Sequence, residues 1–452
     1  MSERQSIGVI GVGWVGLVTA ACFAEVGHPV IAMDIDEGKI DALRKREVPI
    51  HEPGIEELLE RNRERLRFTT EMSEALEGAR LLFCCVDTPP TYSGDADLSR
   101  VQAVLSQLRD DGDHALVMKS TVPAGTGRAI RREAPKLTYV SCPEFLKEGS
   151  AVDDFMVPDR VVIGVDVGDE WAADEVEEAY RPLGGELVRT DVASAEMIKL
   201  ASNAFLATKI SFVNEIANVC EEVGADVSEV ARGMGLDQRI GSAFLRAGIG
   251  YGGSCFPKDV SALKQLAGNT GYHFQLLTAV IEVNELQKRR VMKKLEKHLG
   301  SLVGKKVALL GLAFKPDTDD MREATSLVLA SRLEGEGARV SGYDPVAERP
   351  AHELLPSVEL CDSAEQAVDG ADAAILVTEW PEFANLDWAS LADRMANPLL
   401  IDGRNFLDPQ ALRAAGFTYE GIGRPNGGGG GGAPQSASEV QEGDARARSP
   451  QR

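Results

Sequence analysis

The chain has 452 residues, 44% hydrophobic and 26% charged, so it is long enough for roughly two to four globular domains and too long for one small module. Its 71 acidic residues against 48 Lys and Arg give a formal charge of -23. Nucleic acid is therefore not expected as a partner, because phosphate binding needs a basic surface.

The N-terminal residues are polar and lead directly into an apolar segment, without a basic leader, and no run of about 18 uncharged apolar residues follows. Seven cysteines form an odd set without the dense even spacing of a disulfide framework. We therefore expect a cytoplasmic protein with reduced thiols and no membrane partner.

The first part of the chain, to about residue 191, alternates short apolar segments with helical segments. This alternation predicts a parallel doubly wound α/β sheet. The strands are predicted at residues 7–10, 29–33, 81–86, 115–118, 137–140 and 160–165.

A glycine fingerprint follows the first predicted strand. Gly11 permits a tight turn, Gly13 allows the backbone to approach a pyrophosphate, and Gly16 allows the next helix to pack on the strand. Asp34 ends the second predicted strand, where a carboxylate accepts hydrogen bonds from the adenosine ribose and repels a 2'-phosphate. The pattern predicts NAD rather than NADP as the cofactor.

Two glutamates follow the strand predicted at 137–140. Glu144 and Glu148 lie where the carboxyl ends of strands gather around a cofactor, so they could handle protons or water. A charged helix start is the ordinary alternative.

The segment from about 193 to 299 is helical almost throughout, and residues 275–299 are predicted to form one long amphipathic helix. Lys199 and Asn203 share one helical face and could bind the oxygen of an alcohol or carbonyl. A surface lysine with its stem along the helix is the alternative.

The segment 250–259 is a Gly-rich loop followed by a helix, with Pro257 suited to the first helical position. This would place Cys255 at a helix N-terminus, where the dipole and Lys258 would lower the pKa of its thiol. Asp259 would lie about one turn away on the same face. A small buried apolar residue is the alternative interpretation of such a cysteine.

A second alternation begins at residue 305, with strands predicted at 306–310, 339–343, 373–377 and 398–401 and an Asp again after the second strand. We predict two Rossmann-like doubly wound domains joined by a helical segment with a long central helix. The predicted boundaries are 1–192 for an NAD-binding domain, 193–302 for the central segment, 303–424 for the second Rossmann-like domain and 425–452 for a disordered Gly-rich tail.

Six motifs together carry a resemblance that covers residues 6–424: 11–16, 119–123, 143–149, 158–160, 250–259 and 314–323. By these motifs the chain resembles the UDP-glucose/GDP-mannose dehydrogenase family of nucleotide-sugar 6-dehydrogenases. Trp14 stands where the family usually has Tyr, and Cys142 replaces a common Asn.

The resemblance implies an NAD-dependent, four-electron oxidation of the C6 alcohol of UDP-glucose to the carboxylate of UDP-glucuronate. Cys255 would capture the aldehyde as a thiohemiacetal, which is oxidised to a thioester and hydrolysed. GDP-mannose is the alternative substrate, since base and sugar are distinguished by pocket shape. The second Rossmann-like domain would bind the UDP part, and no metal is implied.

The resemblance also assigns site residues in three groups. The catalytic group is Cys255, Lys199, Asn203, Asp259, Glu144 and Thr121. The NAD-binding group is Gly11, Gly13, Val15, Gly16, Asp34, Lys39, Thr88, Thr121, Glu148, Lys258 and Arg322. The substrate-binding group is Glu144, Phe145, Leu146, Lys147, Glu148, Lys199, Asn203, Arg239 from a neighbouring subunit, Tyr251, Gly252, Lys315 and Arg404. A homodimer or higher homo-oligomer is implied.

Two other classes of protein share some of these features. A two-electron hydroxyacid dehydrogenase also pairs Lys and Asn at this helical spacing but needs no nucleophilic cysteine, so it would form one NADH per substrate instead of two. A non-enzymatic NAD-binding sensor would retain its function when Cys255 is replaced.

Overall fold

The structure is a computed structural model that describes residues 4–108 and 113–425. The chain divides into two compact units, the first comprising Met1–Phe205 and Lys258–Phe274 and the second Leu206–Pro257 and Gln275–Arg452. Apart from Pro425, the predicted Gly-rich tail lies outside the described residues. The domain boundaries given above stay predictions.

The first unit contains an eight-stranded sheet flanked by helices. Its strands are β1 (Ile7–Ile10), β2 (Val30–Met33), β3 (Leu66–Thr69), β4 (Leu81–Cys84), β5 (Ala115–Met118), β6 (Thr138–Ser141), β7 (Arg160–Val165) and β8 (Glu186–Thr190). Its helices before residue 192 are α1 (Trp14–Val26), α2 (Glu37–Arg44), α3 (Ile55–Arg61), α4 (Met72–Gly78), α5 (Ser99–Leu105), α6 (Thr126–Glu133), α7 (Ala151–Met156) and α8 (Glu170–Tyr180), with a 3₁₀ helix at Arg181–Leu183.

The strand order of this sheet is β3-β2-β1-β4-β5-β6-β7-β8. The order reverses direction between β1 and β4, which creates the crevice where doubly wound sheets bind ligands. All neighbouring strands are parallel except β6 and β7, which are antiparallel, so the prediction of a wholly parallel sheet was wrong at this pair. The apolar strands β1, β4, β5 and β6 are buried along their whole length, as expected for a sheet covered on both faces.

The central helices differ from the prediction in where the long helix lies. They are α9 (Val192–Val223), α10 (Val227–Gly235), α11 (Phe256–Asn269), α12 (Gln275–Gln287) and α13 (Arg290–Leu299). The 32-residue helix is α9. The single helix predicted over 275–299 was wrong, because a turn at residues 288–289 separates two helices. There the Arg289 amide bonds the Leu286 carbonyl oxygen, three residues earlier, in place of the α-helical partner four residues earlier.

The second unit contains a six-stranded, fully parallel sheet with the order β11-β10-β9-β12-β13-β14. Its strands are β9 (Lys306–Leu310), β10 (Arg339–Tyr343), β11 (Glu359–Leu360), β12 (Ala373–Leu376), β13 (Leu399–Asp402) and β14 (Thr418–Glu420). Its helices after α13 are α14 (Thr325–Gly335), α15 (Glu348–Leu354), α16 (Ala364–Val368), α17 (Trp388–Arg394) and α18 (Pro409–Ala414), with a 3₁₀ helix at Pro381–Asn385.

Each sheet has its own hydrophobic core, and the second core also includes Val213, Ala217 and Cys220 from the C-terminal half of α9. The predicted fold class, two Rossmann-like sheets with a long central helix, is confirmed. Among the described residues, no helix is long and apolar enough to cross a membrane.

Candidate active site

The glycine fingerprint forms the turn between β1 and α1 at the strand-order reversal. Gly11 has a positive φ of 89°, and a side chain there would come within 2.9 Å of the Val86 amide that follows β4. A Cβ at Gly16 would lie 1.8 Å from the carbonyl oxygen of Gly11, so α1 can start this close to the strand only with glycine. Gly13 has an extended backbone directly before α1. This geometry fits a dinucleotide pyrophosphate at the start of α1.

Asp34 lies at the end of β2, beside the fingerprint. Its Oδ2 accepts hydrogen bonds from the Val12 amide at 2.7 Å and from Lys39 Nζ at 3.1 Å, and its Oδ1 accepts one from the Asp36 amide at 3.0 Å. The carboxylate is therefore fixed against the turn that would hold the pyrophosphate. This position suits an acceptor for the ribose hydroxyls.

The loops that follow β4 and β5 are joined by a hydrogen bond. Thr88 Oγ1 donates to the carbonyl oxygen of Thr121 at 2.8 Å, and Thr88 is buried. Val15 lies in the first turn of α1, where its carbonyl oxygen accepts a hydrogen bond from Thr19 Oγ1 at 2.7 Å. Thr88, Thr121 and Val15 all belong to the first unit, as do the fingerprint glycines.

The second sheet has an aspartate at the same topological position, but its oxygens are occupied by protein donors. Asp344 accepts hydrogen bonds from four backbone amides at 2.7–3.0 Å and from the indole of Trp380 at 3.0 Å. A Cβ at Gly311, which follows β9, would lie 2.4 Å from Thr378 Cβ. No acceptor on Asp344 is left for a ribose without displacing these donors, so this crevice is not built like the first.

Glu144 and Lys199 form a buried ion pair in the first unit. Lys199 Nζ donates to Glu144 Oε1 at 2.8 Å, and Glu144 Oε2 accepts the Leu146 amide at 2.6 Å. Lys199 is only 3% exposed, so the alternative of a surface lysine is wrong. Burial alone would raise the pKa of Glu144, but the Lys199 ammonium and the two hydrogen bonds outweigh it, so the pKa lies below its ordinary value.

Asn203 lies one turn after Lys199 on α9 and binds Asp259 of α11. Asn203 Nδ2 donates to Asp259 Oδ2 at 2.6 Å, and Lys258 Nζ donates to Asp259 Oδ1 at 2.7 Å. Asp259 is 1% exposed. The charge of Lys258 is therefore paired with Asp259, and a second buried polar cluster lies on the same face of α9 as the first.

Cys255 differs from the other cysteines, all of which lie within the described residues. It is exposed, whereas Cys361 is half-buried and the remaining five are buried. Burial raises the pKa of those thiols, to about 11 for Cys84 and about 12 for Cys85. Cys255 directly precedes α11, which begins at Phe256, so Pro257 is the second helical residue and not the first as predicted. The alternative of a buried apolar cysteine is wrong for Cys255.

The loop before Cys255 is closely packed within the second unit. A Cβ at Gly252 would lie 2.1 Å from the carbonyl oxygen of Glu323. Tyr251 is buried, its ring meets Phe256 edge to face at 5.8 Å, and burial raises the pKa of its phenol to about 12. The Tyr251 side chain therefore packs inside the unit.

The predicted substrate-binding residues after β6 differ in their surroundings. The guanidinium of Arg160 lies 3.9 Å over the ring of Phe145. Leu146 is half-buried, and its amide holds Glu144. Lys147 is exposed and pairs with Asp154 at 3.3 Å, whereas Glu148 is half-buried.

The predicted cationic residues of the second unit also differ from one another. Arg239 is exposed, with 88% of its side chain accessible, and pairs with Asp237. Arg322 is exposed and pairs with Asp320 at 2.8 Å, whereas Lys315 is half-buried and lies 5.5 Å from the ring of Phe314.

Arg404 is the most tightly held of these cations. Its guanidinium donates to the carbonyl oxygens of Val377 at 2.7 Å, Gly250 at 3.0 Å and Phe314 at 3.3 Å. Burial lowers the pKa of Arg404 despite the nearby charge of Glu379. Arg404 therefore joins the Cys255 loop to the second sheet through backbone carbonyls.

Glu52 is a buried carboxylate that no sequence motif indicated. Its Oε2 accepts hydrogen bonds from Trp14 Nε1 at 3.0 Å and the Gly149 amide at 2.7 Å, and its Oε1 accepts one from the Ala151 amide at 2.7 Å. Glu52 thus connects the first residue of α1 to the start of α7. The indole of Trp14, within the glycine fingerprint, supplies one of these donors.

Three sequence models of one family match the chain in succession. The NAD binding domain of the UDP-glucose/GDP-mannose dehydrogenase family matches residues 5–184, its central domain residues 193–286 and its UDP binding domain residues 308–409. The chain belongs to this family. It is accordingly an oxidoreductase with an NAD-binding domain.

Individual relatives agree with this assignment. A UDP-glucose 6-dehydrogenase of Bacillus subtilis (strain 168) is 48% identical over 432 residues, covering 93% of this chain and 98% of the relative. The solved structure of a UDP-glucose dehydrogenase from Pyrobaculum islandicum is 37% identical, with a TM-score of 0.85 and coverage of 94% and 99%. A ternary complex of GDP-mannose dehydrogenase from Pseudomonas aeruginosa is 31% identical, with a TM-score of 0.50 and coverage of 92% and 99%.

Proposed function

We propose that the protein oxidises UDP-glucose to UDP-glucuronate with two molecules of NAD, and that Cys255 carries the acyl intermediate. The observation that carries this proposal is the placement of Cys255. It is the exposed cysteine and stands at the start of the 14-residue helix α11, where free backbone amides favour a thiolate. A two-electron dehydrogenase has no use for such a thiol.

The cofactor would be held by the first unit. The backbone at Gly11, Gly13 and Gly16 would bind the pyrophosphate, and Asp34 would bind the adenosine ribose, with Lys39 holding that carboxylate in place. Bound NAD supplies the chemistry of hydride acceptance, once for each oxidation.

Cys255 would act between the two oxidations. Its thiolate adds to the carbonyl carbon of the C6 aldehyde and forms a C–S bond, and the carbonyl oxygen takes up a proton to give a thiohemiacetal. The second oxidation removes the C6 hydrogen as hydride and the hydroxyl proton, which leaves a thioester. Water then attacks the thioester carbon, the C–S bond breaks, and the carboxylate and the Cys255 thiol are released.

The two buried clusters on α9 are proposed to handle charge and protons. Lys199 would stabilise negative charge developing on the C6 oxygen, and Asn203 would donate a hydrogen bond to the same oxygen. Glu144 is kept ionised by Lys199, so it can accept a proton from the attacking water. Asp259, held by Asn203 and Lys258, would order that water together with Thr121 and Glu148.

UDP-glucose is favoured over GDP-mannose by the relatives. Identity of 48% and a TM-score of 0.85 are found with UDP-glucose enzymes, against 31% and 0.50 for the GDP-mannose enzyme. The family's UDP binding domain matches residues 308–409, which supports a role for the second unit in binding the nucleotide. Lys315, Arg322, Arg404, Tyr251 and Gly252 of this unit remain proposed contacts for substrate or cofactor.

The reaction can be tested by counting electrons. Purified protein with excess NAD and limiting UDP-glucose is expected to form two NADH per sugar, followed at 340 nm to the end point, with UDP-glucuronate identified by mass spectrometry. GDP-mannose at the same concentration is the matched control and is expected to react far more slowly. One NADH per sugar, or a faster reaction with GDP-mannose, would contradict the proposal.

We also propose that the chain forms a homodimer through the second-unit part of α9. Phe212, Val219 and Val223 share one face of this helix and are each at least half exposed, and Leu286 of α12 is 61% exposed. Several exposed apolar side chains on one helix face typically pack in an interface. Sedimentation equilibrium is expected to give twice the chain mass of 48.5 kDa, and a monomer at micromolar concentration would argue against it.

A further inference from the structure

The loop that ends at Cys255 is held by the side chain of Asn284, a residue of α12 that no motif singled out. Asn284 Oδ1 accepts a hydrogen bond from the Tyr251 amide at 2.8 Å, and Asn284 Nδ2 donates one to the Tyr251 carbonyl oxygen at 3.1 Å. Both backbone groups of one loop residue are thus bound by one buried side chain, since Asn284 is only 4% exposed.

The fit between Asn284 and the loop depends on glycine at the preceding position. Gly250 has a positive φ of 88°, and a Cβ there would lie 2.8 Å from Asn284 Oδ1. Gln287, one turn further along α12, donates to the carbonyl oxygen of Gly248 at 2.9 Å. The C-terminal end of α12 therefore forms a polar wall against residues 248–251.

Other contacts restrain the loop at single atoms. Arg404 donates to the Gly250 carbonyl oxygen at 3.0 Å, and the Gly253 amide donates to the Arg322 carbonyl oxygen at 2.9 Å. Asn284 differs from these contacts because it fixes both the position and the orientation of the Tyr251 peptide groups. Tyr251 precedes Cys255 by four residues, so its backbone orientation is passed along a short segment to the thiol.

We propose that Asn284 is a positioning residue for Cys255: its bidentate hydrogen bonding to the Tyr251 backbone sets the path of the loop that presents the thiol at the start of α11. The inference rests on the proposed function in assigning Cys255 the nucleophilic role. The chemistry requires a carboxamide, because one side-chain atom must accept and the other must donate.

The test compares Asn284→Ala, which removes both hydrogen bonds, with Asn284→Asp, which keeps the acceptor for the Tyr251 amide and places a second acceptor against its carbonyl. We expect kcat with UDP-glucose and NAD to fall about 10- to 100-fold in Asn284→Ala, because a shift of about 1 Å at a reacting group has an effect of this size. Asn284→Asp is expected to fall at least as far, because its second acceptor faces the Tyr251 carbonyl oxygen where a donor is needed. KM for NAD should stay within about twofold in both variants, since the glycine fingerprint is untouched.

A second readout follows the thiol without any substrate. The rate of Cys255 alkylation by iodoacetamide is measured against pH in the full-length protein, with the modified peptide identified by mass spectrometry. A displaced loop moves Cys255 away from the free amides of α11, so the midpoint of the alkylation profile is expected to shift to higher pH in Asn284→Ala. A residue that only stabilises the fold would leave this midpoint unchanged in the folded protein.

Ser341→Ala is the matched control, because it removes a buried hydrogen bond of the second unit, from Ser341 Oγ in β10 to the Ala367 carbonyl oxygen in α16 at 2.7 Å. It should lower thermal stability and leave kcat and the alkylation midpoint unchanged.

The proposal is overturned if both Asn284 variants keep kcat within twofold of the parent or keep the parental alkylation midpoint. If Asn284→Ala does not fold, Asn284→Asp alone is judged by the same criteria. A parent that forms no NADH would refute the proposed function, and the alkylation profiles would still test Asn284.

Discussion

Replacing Cys255 by serine is expected to lower the rate of UDP-glucuronate formation by about three orders of magnitude or more. A serine hydroxyl at this position has a far higher pKa than a thiol, so the start of α11 cannot ionise it, and an oxygen ester in place of the thioester is less reactive to water. The measurement is the end-point yield and initial rate of carboxylate product by mass spectrometry. Binding of NAD, followed by calorimetry, should be unchanged.

The control for this substitution is Cys361→Ser. Cys361 is half-buried, its Sγ contacts the carbonyl oxygen of Glu359 at 3.5 Å, and a hydroxyl can replace that contact. Activity is expected to stay within about twofold of the parent. Carboxylate formation by Cys255→Ser at the parental rate would contradict a nucleophilic role for the Cys255 thiol.

The sequence predicted the interior strands of both sheets and missed the strands at the edges. Residues 7–10, 115–118, 160–165, 306–310 and 339–343 are strands with the predicted bounds. The strands that no apolar segment signalled are β3, β8, β11 and β14, which are the two outer strands of each sheet. An edge strand has one hydrogen-bonded neighbour and can carry polar residues. Glu186 and Arg189 of β8 are exposed and Glu420 of β14 is buried, so hydrophobic pattern marks neither strand.

The sequence predicted that the central segment is helical, but not where its individual helices end. Residues 275–299 have one continuous apolar periodicity, which cannot show that α12 ends at Gln287. Side chains near that end, Asn284 and Gln287, bind the backbone of a loop more than 30 residues earlier in the chain. Such a tertiary contact leaves no signal in the local sequence.

The candidate site residues also divide into those that local sequence predicts and those that depend on long-range contacts. Local pattern predicted the fingerprint glycines, Asp34 and the start of a helix after Cys255, because each depends on a turn or a helix end. The pairing of Lys199 with Glu144 joins residues 55 positions apart and could be stated only by resemblance to a family. Glu52 was missed since it lies in a turn without apolar period and binds backbone amides almost 100 positions away.

Replacing Lys199 by alanine is expected to have the second largest effect, through Glu144. The substitution leaves a buried carboxylate without its cation, which costs about 3–5 kcal/mol in the free energy of unfolding at neutral pH. It also removes the charge proposed to stabilise the C6 oxygen, so kcat should fall about 100- to 1000-fold. Thermal denaturation and initial rates, both measured from pH 5 to 8, check these outcomes.

The effect of this substitution on stability depends on pH, and its direction follows from the pKa of Glu144. In the parent the pKa of Glu144 lies below its ordinary value, so the stability that the ion pair contributes is present above that ordinary value and is lost as pH falls through the lowered one. Without Lys199, burial dominates and the pKa of Glu144 rises, so the variant should gain stability relative to the parent as the pH is lowered and the buried carboxyl becomes neutral. The double variant Lys199→Ala/Glu144→Gln contains neither charge and should recover much of the stability at neutral pH without recovering activity. If Lys199→Ala alone is as stable as the parent at pH 8, Glu144 does not depend on Lys199 for its charge.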